Sequence, residues 1–153
     1  MFLTEKDKIL TVLQPDADRY DSDPASDIVF MGDYNHACFV LSEGAGGTGT
    51  ATLTVEECSD NAGTANVAIP FRYREMSTID TLGAITEATA AGFTTTAGAN
   101  KMVFIEIDGA ELSADKPWVK VQLTEVANSA VDAGMICILS EGRFKGNSQP
   151  SVL

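Results

Sequence analysis

The segment Gly44-Ala45-Gly46-Gly47-Thr48-Gly49 has the Gly-x-Gly-x-x-Gly spacing that lets a backbone close on a pyrophosphate. That chemistry needs a helix after the loop, because the phosphates rest on the free N–H groups of a helix N-terminus. The next residues are Thr50-Ala-Thr-Leu-Thr-Val55, β-branched and alternating with period two, so no helix starts there. A Walker loop fails as well, since Thr50 and Ala51 stand where Lys and then Ser or Thr would be required. The loop reads instead as a flexible connection between two antiparallel strands, its tip free to meet a neighbouring subunit.

His36 is the single histidine, so any triad must use it, and nothing in the sequence sets a nucleophile and an orienting acid beside it. His36 with Cys38 lacks a second ligand pair at zinc spacing. The Asp-rich run from Asp16 to Asp27 lacks the central Gly and terminal Glu of an EF-hand loop. A glycosidase pair could come from carboxylates on separate strands, among them Glu56, Glu57, Asp108, Glu111 and Asp115. A solvated acidic surface explains them more simply. No catalytic residue, cofactor or metal is therefore expected.

Ten Lys and Arg stand against 22 Asp and Glu, a net charge of -12 that repels phosphate backbones and argues against direct nucleic-acid binding. Among the few cations, Arg72 and Arg74 share one face of a strand, and Arg143 and Lys145 flank Phe144 at the start of the tail. With Pro70, these residues are the candidate interface positions: their charges could pair with carboxylates of a neighbouring subunit. Cys38, Cys58 and Cys137 are odd in number, outside any C-x-x-C pattern and set in or beside apolar runs. They read as small buried hydrophobes of a reduced, cytoplasm-made protein. The N-terminal residues mix charge into any apolar run, and no segment approaches the ~18 apolar residues of a membrane span, so neither a secretion signal nor a membrane partner is expected.

The elements that must position these residues are short β-type runs. A chain of 153 residues fits one domain with a core plus arms. Residues 1–27 read as an N-terminal arm, with one short helix between Phe2 and Leu13 and an Asp-, Ser- and Pro-rich linker after it. Residues 28–141 read as the domain. Strands are predicted over Ile28–Met31, Ala37–Leu41, Thr50–Cys58, Val67–Tyr73, Lys101–Ile107, Trp118–Val126 and Met135–Leu139, and Thr-rich exposed strands with their loops near 81–89 and 92–100. Ala37–Leu41 is continuously apolar, as in a strand covered on both faces. Pro70 cannot donate to a ladder, so its strand should lie at an edge or carry a bulge. Residues 142–153 read as a C-terminal arm. Short strands separated by polar turns favour an all-β antiparallel sandwich of jelly-roll type.

The stretches Tyr34-Asn-His-Ala-Cys-Phe-Val-Leu41, Gly44-Ala-Gly-Gly-Thr-Gly-Thr-Ala-Thr-Leu-Thr-Val-Glu56, Ile69-Pro-Phe-Arg-Tyr-Arg74, Ala91-Gly-Phe-Thr-Thr-Thr-Ala-Gly-Ala-Asn-Lys101 and Lys116-Pro-Trp-Val-Lys-Val-Gln-Leu-Thr-Glu-Val126 together resemble a group of small tailed-phage virion proteins. The resemblance implies a β-rich, oligomeric head protein that decorates or cements the capsid. Its partners would be the major capsid protein and its own copies, as dimer or trimer, on the outer capsid surface. It carries no catalytic or contact residues over. A tail or head-tail junction protein on the same sandwich is the structural alternative. A carbohydrate-binding module or small hydrolase on a jelly roll is the alternative from another class.

Overall fold

The computed structural model describes residues 3–143. A single helical turn, α1 (Leu3–Lys6), precedes β1 (Lys8–Asp16), β2 (Val29–Phe30), β3 (Tyr34–Glu43), β4 (Thr50–Cys58), β5 (Val67–Ile69), β6 (Phe71–Met76), β7 (Thr86–Ala88), β8 (Phe93–Thr94), β9 (Met102–Asp108), β10 (Trp118–Ala127) and β11 (Ala133–Gly142). Two antiparallel sheets pack as a sandwich: a six-stranded one in the order β1-β11-β3-β9-β6-β7, and a five-stranded one in the order β2-β10-β4-β5 with β8 also on β4.

The pairing is that of a hairpin rolled on itself. From the ends inward, β1 pairs β11, β2 pairs β10, β3 pairs β9 and β4 pairs β5. Rolling then sets β11 against β3 and β10 against β4, which is jelly-roll order. The strands β6 and β7 extend the six-stranded sheet, and the stacked rings of Tyr73 and Phe93, with centroids 3.7 Å apart, tie β6 to β8 of the opposite sheet.

Alternation fills the space between the sheets. Ala51, Leu53 and Val55 of β4 meet Ala37, Phe39 and Leu41 of β3, with Val103, Ile105 and Ile107 beside them and Val119, Val121 and Leu123 on β10. Burying such side chains contributes about 1.5–3 kcal/mol each. The fold class and the alternation of β4, β9 and β10 agree with the sequence expectation, and a 3-10 turn with a capping box, Gly109–Glu111, follows β9.

The N-terminal region departs from it. Residues 8–16 are not an arm but a strand of the six-stranded sheet, and the helix ends at Lys6. The run Ile-Leu-Thr-Val-Leu is rich in β-branched residues, and the free edge of β11 supplies a ladder that outweighs the helical spacing of Ile9, Val12 and Leu13. The connection after it is tied down too. Ser26 and Pro24 bond to β10 through Ser26 N–Val121 O at 2.8 Å and Leu123 N–Pro24 O at 2.9 Å. Pro70 sits where Val67–Tyr73 was expected to form one strand; it separates β5 from β6, so the chain leaves one sheet and enters the other there.

Candidate interaction face

Each sheet has one face turned to the core and one turned outward. On the six-stranded sheet the outward positions form rows across the strands. One row runs Ile9, Ile138, Cys38, Glu106, Arg72 and Glu87, and the next runs Thr11, Ile136, Val40, Phe104 and Arg74. A third holds Gly134, Ser42, Met102 and Met76. The centre of this outward face is therefore apolar: Ile9, Ile136 and Ile138 beside Cys38, Val40, Phe104, Met102 and Met76. Ile79, Leu82 and Ile85, in the connection after Met76, are exposed as well. A contiguous apolar surface on so acidic a domain is the mark of a contact surface.

A groove of about 710 Å³ opens at one end of this face. It forms because β1 carries register shifts between Thr11 and Leu13 and again between Leu13 and Asp16, which lift the strand and seat Pro15 over Gly134. Val40, Met102 and Ile136 line it, with Asp16 and Asp132 also on its lining.

At the other end the same face becomes polar. Ser140, His36 and Asp108 are opposite one another on β11, β3 and β9. His36 Nδ1 and Ser140 Oγ share a hydrogen bond of 2.9 Å, and His36 Nε2 lies 2.5 Å from Glu106. The structure thus brings to His36 the hydroxyl and the carboxylate that the sequence did not reveal, in the hydrogen-bond order of a catalytic relay. Acyl transfer also needs oxyanion donors and a place for the substrate. The groove lies two residues beyond Cys38 along β3 and further, on the order of 13 Å from His36 at the strand rise per residue. The Cys38 thiol is pushed up to about 12 by burial, then by the charge of Glu106 and a hydrogen bond to it. Burial raises the Cys58 and Cys137 thiols as well, and all three cysteines are free.

Behind the groove the chain buries charge. Glu43 and Lys101 flank the outward Ser42 and Met102, so their side chains turn inward; Lys101 Nζ lies 3.1 Å from Glu43 Oε2, with both side chains 2% exposed or less. The Tyr20 hydroxyl donates to Glu43, and burial, followed by the Glu43 charge, raises its pKa far above the ordinary tyrosine value. Glu75, 4.0 Å from Lys101, accepts from Thr96 N at 2.8 Å and Thr96 Oγ1 at 2.7 Å. Sequence reading missed this cluster; its signal is a charged residue in phase with the inward positions at a strand end, Glu43 two residues after Leu41 on β3 and Lys101 two residues before Val103 on β9.

The expected interface residues are dispersed. Pro70 and Arg72 line a depression of about 420 Å³ with Glu87 and Glu111. Arg72 pairs with Glu111 at 2.8 Å and lies 3.9 Å from Glu87, while Arg74 Nε donates to Gly83 O at 2.8 Å. Arg143 is at the polar end, donating from Nε to Asn35 Oδ1 and from its backbone to Asp33 O. Phe144, Lys145 and the rest of the expected C-terminal arm lie outside the described residues.

The glycine loop joins β3 to β4 with Gly47 in open space at its tip, and its flanks are tied to the 128–132 connection. Gly44 N donates to Asp132 O at 2.7 Å and Asp132 N to Ala45 O at 2.9 Å, while Thr48 Oγ1 reaches Ser129 Oγ. A Cβ on Gly49 would lie 2.2 Å from Ser129 O, so the glycines admit the backbone of the 128–132 connection rather than a ligand.

Among the described residues no helix is long and apolar enough to cross a membrane, and no cluster of three His, Cys, Asp or Glu side chains could hold a metal. No protein-family model matches the chain, and no curated protein sequence matches it. Among solved structures, a match is the SPBc2 prophage-derived protein YomS, with a TM-score of 0.48 and 13% sequence identity, covering 87% of this chain and 91% of that one.

Proposed function

We propose that this chain is a structural protein of a phage-type virion that decorates the capsid and cements it by bridging major capsid protein subunits. The observation that carries the reading is the apolar outward face of the six-stranded sheet, held on a jelly roll in a chain of net charge -12. A cement protein must hold a shell against internal pressure, and contacts repeated by symmetry supply that through multivalency without one tight site. The face is broad and open, as suits a protein surface. Mixing the protein with purified expanded capsids should give saturable co-sedimentation and raise the temperature at which the shells open. Absence of both sinks the reading. A copy number of about a dozen or fewer per virion, against hundreds, would move it to a tail or head-tail junction.

One observation favours an acyl-transfer reading instead: the Ser140, His36 and Glu106 hydrogen-bond chain. Labelling of Ser140 by a fluorophosphonate probe, abolished in Ser140→Ala and in His36→Gln, would establish it.

A further inference from the structure

The groove at the apolar end of the face supports a more specific statement, which rests on reading that face as a binding surface. Its floor is Val40, Met102 and Ile136, and its wall is the bulged end of β1, where Pro15 packs so closely on Gly134 that a Cβ there would lie 3.0 Å from the proline ring. Its volume of about 710 Å³ is within the range of sites that hold several side chains of a guest.

Strand addition at the neighbouring edges is obstructed. The edge strand β1 contains Pro15 and two register shifts, and the opposite edge, β7, is three residues long. A guest must therefore lie across the face, with its side chains in the groove.

The electrostatics of the rim select among guests. Asp16 and Asp132 line the groove. Arg19 offsets one of them by pairing with Asp16 at 3.0 Å. A second copy of this chain, with its net charge of -12, brings the wrong sign.

We propose that the groove takes an extended segment of another protein, with apolar side chains entering between Val40, Met102 and Ile136 and lysines or arginines on either side facing Asp16 and Asp132. Association should be fast at low salt and slow as salt screens the rim, while the apolar floor sets the lifetime of the complex.

The test is fluorescence anisotropy of the intact chain with two labelled peptides, one of alternating valines flanked by lysines and the same core flanked by glutamates. The lysine-flanked peptide should bind saturably, and the glutamate-flanked one should bind at least about tenfold more weakly. Ile136→Asp should weaken the lysine-flanked peptide by about tenfold or more, as for a central apolar anchor. Asp132→Asn changes one exposed rim charge without entering the floor, and should reduce both the affinity and its salt dependence. Thr124→Asp, on the opposite sheet, should change neither. Equal binding of both peptides, no binding, or insensitivity to Ile136→Asp overturns the proposal. So does concentration-dependent dimerisation of the chain alone that Ile136→Asp abolishes, which assigns the groove to a second copy. Capsid co-sedimentation of the same variants separates the two readings: capsid binding unaffected by Ile136→Asp removes the groove and keeps the cement function, and peptide binding without capsid binding does the reverse.

Discussion

The two sheets place a lysine-carboxylate pair differently. The six-stranded sheet is apolar outside at its centre and hides an ion pair inside, Lys101 with Glu43, both essentially inaccessible. The five-stranded sheet is apolar inside along most of its length, with Glu57 buried at one end where it accepts from Ser113, and it presents Thr50, Thr52, Thr54 and Thr124 outward, with its own pair, Lys120 and Glu56, 3.0 Å apart and 17% exposed on each side. The polar outer face is what a solvated sheet requires. The inverted one is what a sheet requires if its outer face is to be covered. A lysine-carboxylate pair therefore means different things in the two places: on the outside it is a surface decoration, and on the inside it fixes where β3 and β9 end.

The largest effect that can break this contrast is at the buried pair. Lys101→Met leaves the Glu43 carboxylate buried without its cation and should cost about 3–5 kcal/mol in urea unfolding. Replacing both partners, Lys101→Met with Glu43→Leu, should restore most of the loss; if the single change costs less than the surface pair does, the contrast is wrong. Next is the outer face itself. Val40→Asp sets a charge among Ile136 and Phe104 at a position 6% exposed, and should cost about 1–3 kcal/mol, whereas Thr124→Asp should stay within about 0.5 kcal/mol.

The outer pair supplies the third test. Lys120→Met should cost only about 0–1 kcal/mol. Burial pushes the Glu56 carboxyl up, but the Asn66 amide, which bonds it at 2.6 Å, and Lys120 more than offset this, so its folded-state pKa lies below the unfolded one. Its contribution is thus complete above the unfolded carboxylate pKa and lost as the pH falls through the folded-state value. Stability measured against pH should drop less steeply on the acid side in Glu56→Gln. The smallest effect concerns Cys38, whose pKa near 12 should keep it slow to alkylate at neutral pH until the chain is unfolded, despite its place on the outer face.

The polar-faced sheet is readable because its strands alternate. Thr50–Cys58 and Trp118–Val126 name their own inward residues, and the structure returns β4 with the same ends. The apolar face escapes for the complementary reason. Ala37–Leu41 and Met135–Leu139 lack alternation, and a continuous apolar run reads as a strand covered on both faces. A sandwich of only two layers has no second layer of its own to cover that face, and no local pattern states that. The Ser140–His36–Glu106 chain is invisible for another reason: its members lie far apart in sequence and meet only through the registers of β11, β3 and β9. Likewise β1 is hidden because its ladder partner, β11, comes from the far end of the chain.

That last pairing also shapes how the molecule is made. In the finished sheets β11 lies between β1 and β3, and β10 lies between β2 and β4. A chain emerging from the ribosome has β1 to β9 before either filler exists, so four strand edges stand open during synthesis. Such edges invite pairing with another nascent copy. The Thr-rich outer face of β4, the short β2 and the proline in β1 lower that risk while the two gaps wait to be filled. Closure is then a late event, in which β10 and β11 enter one after the other and complete both sheets.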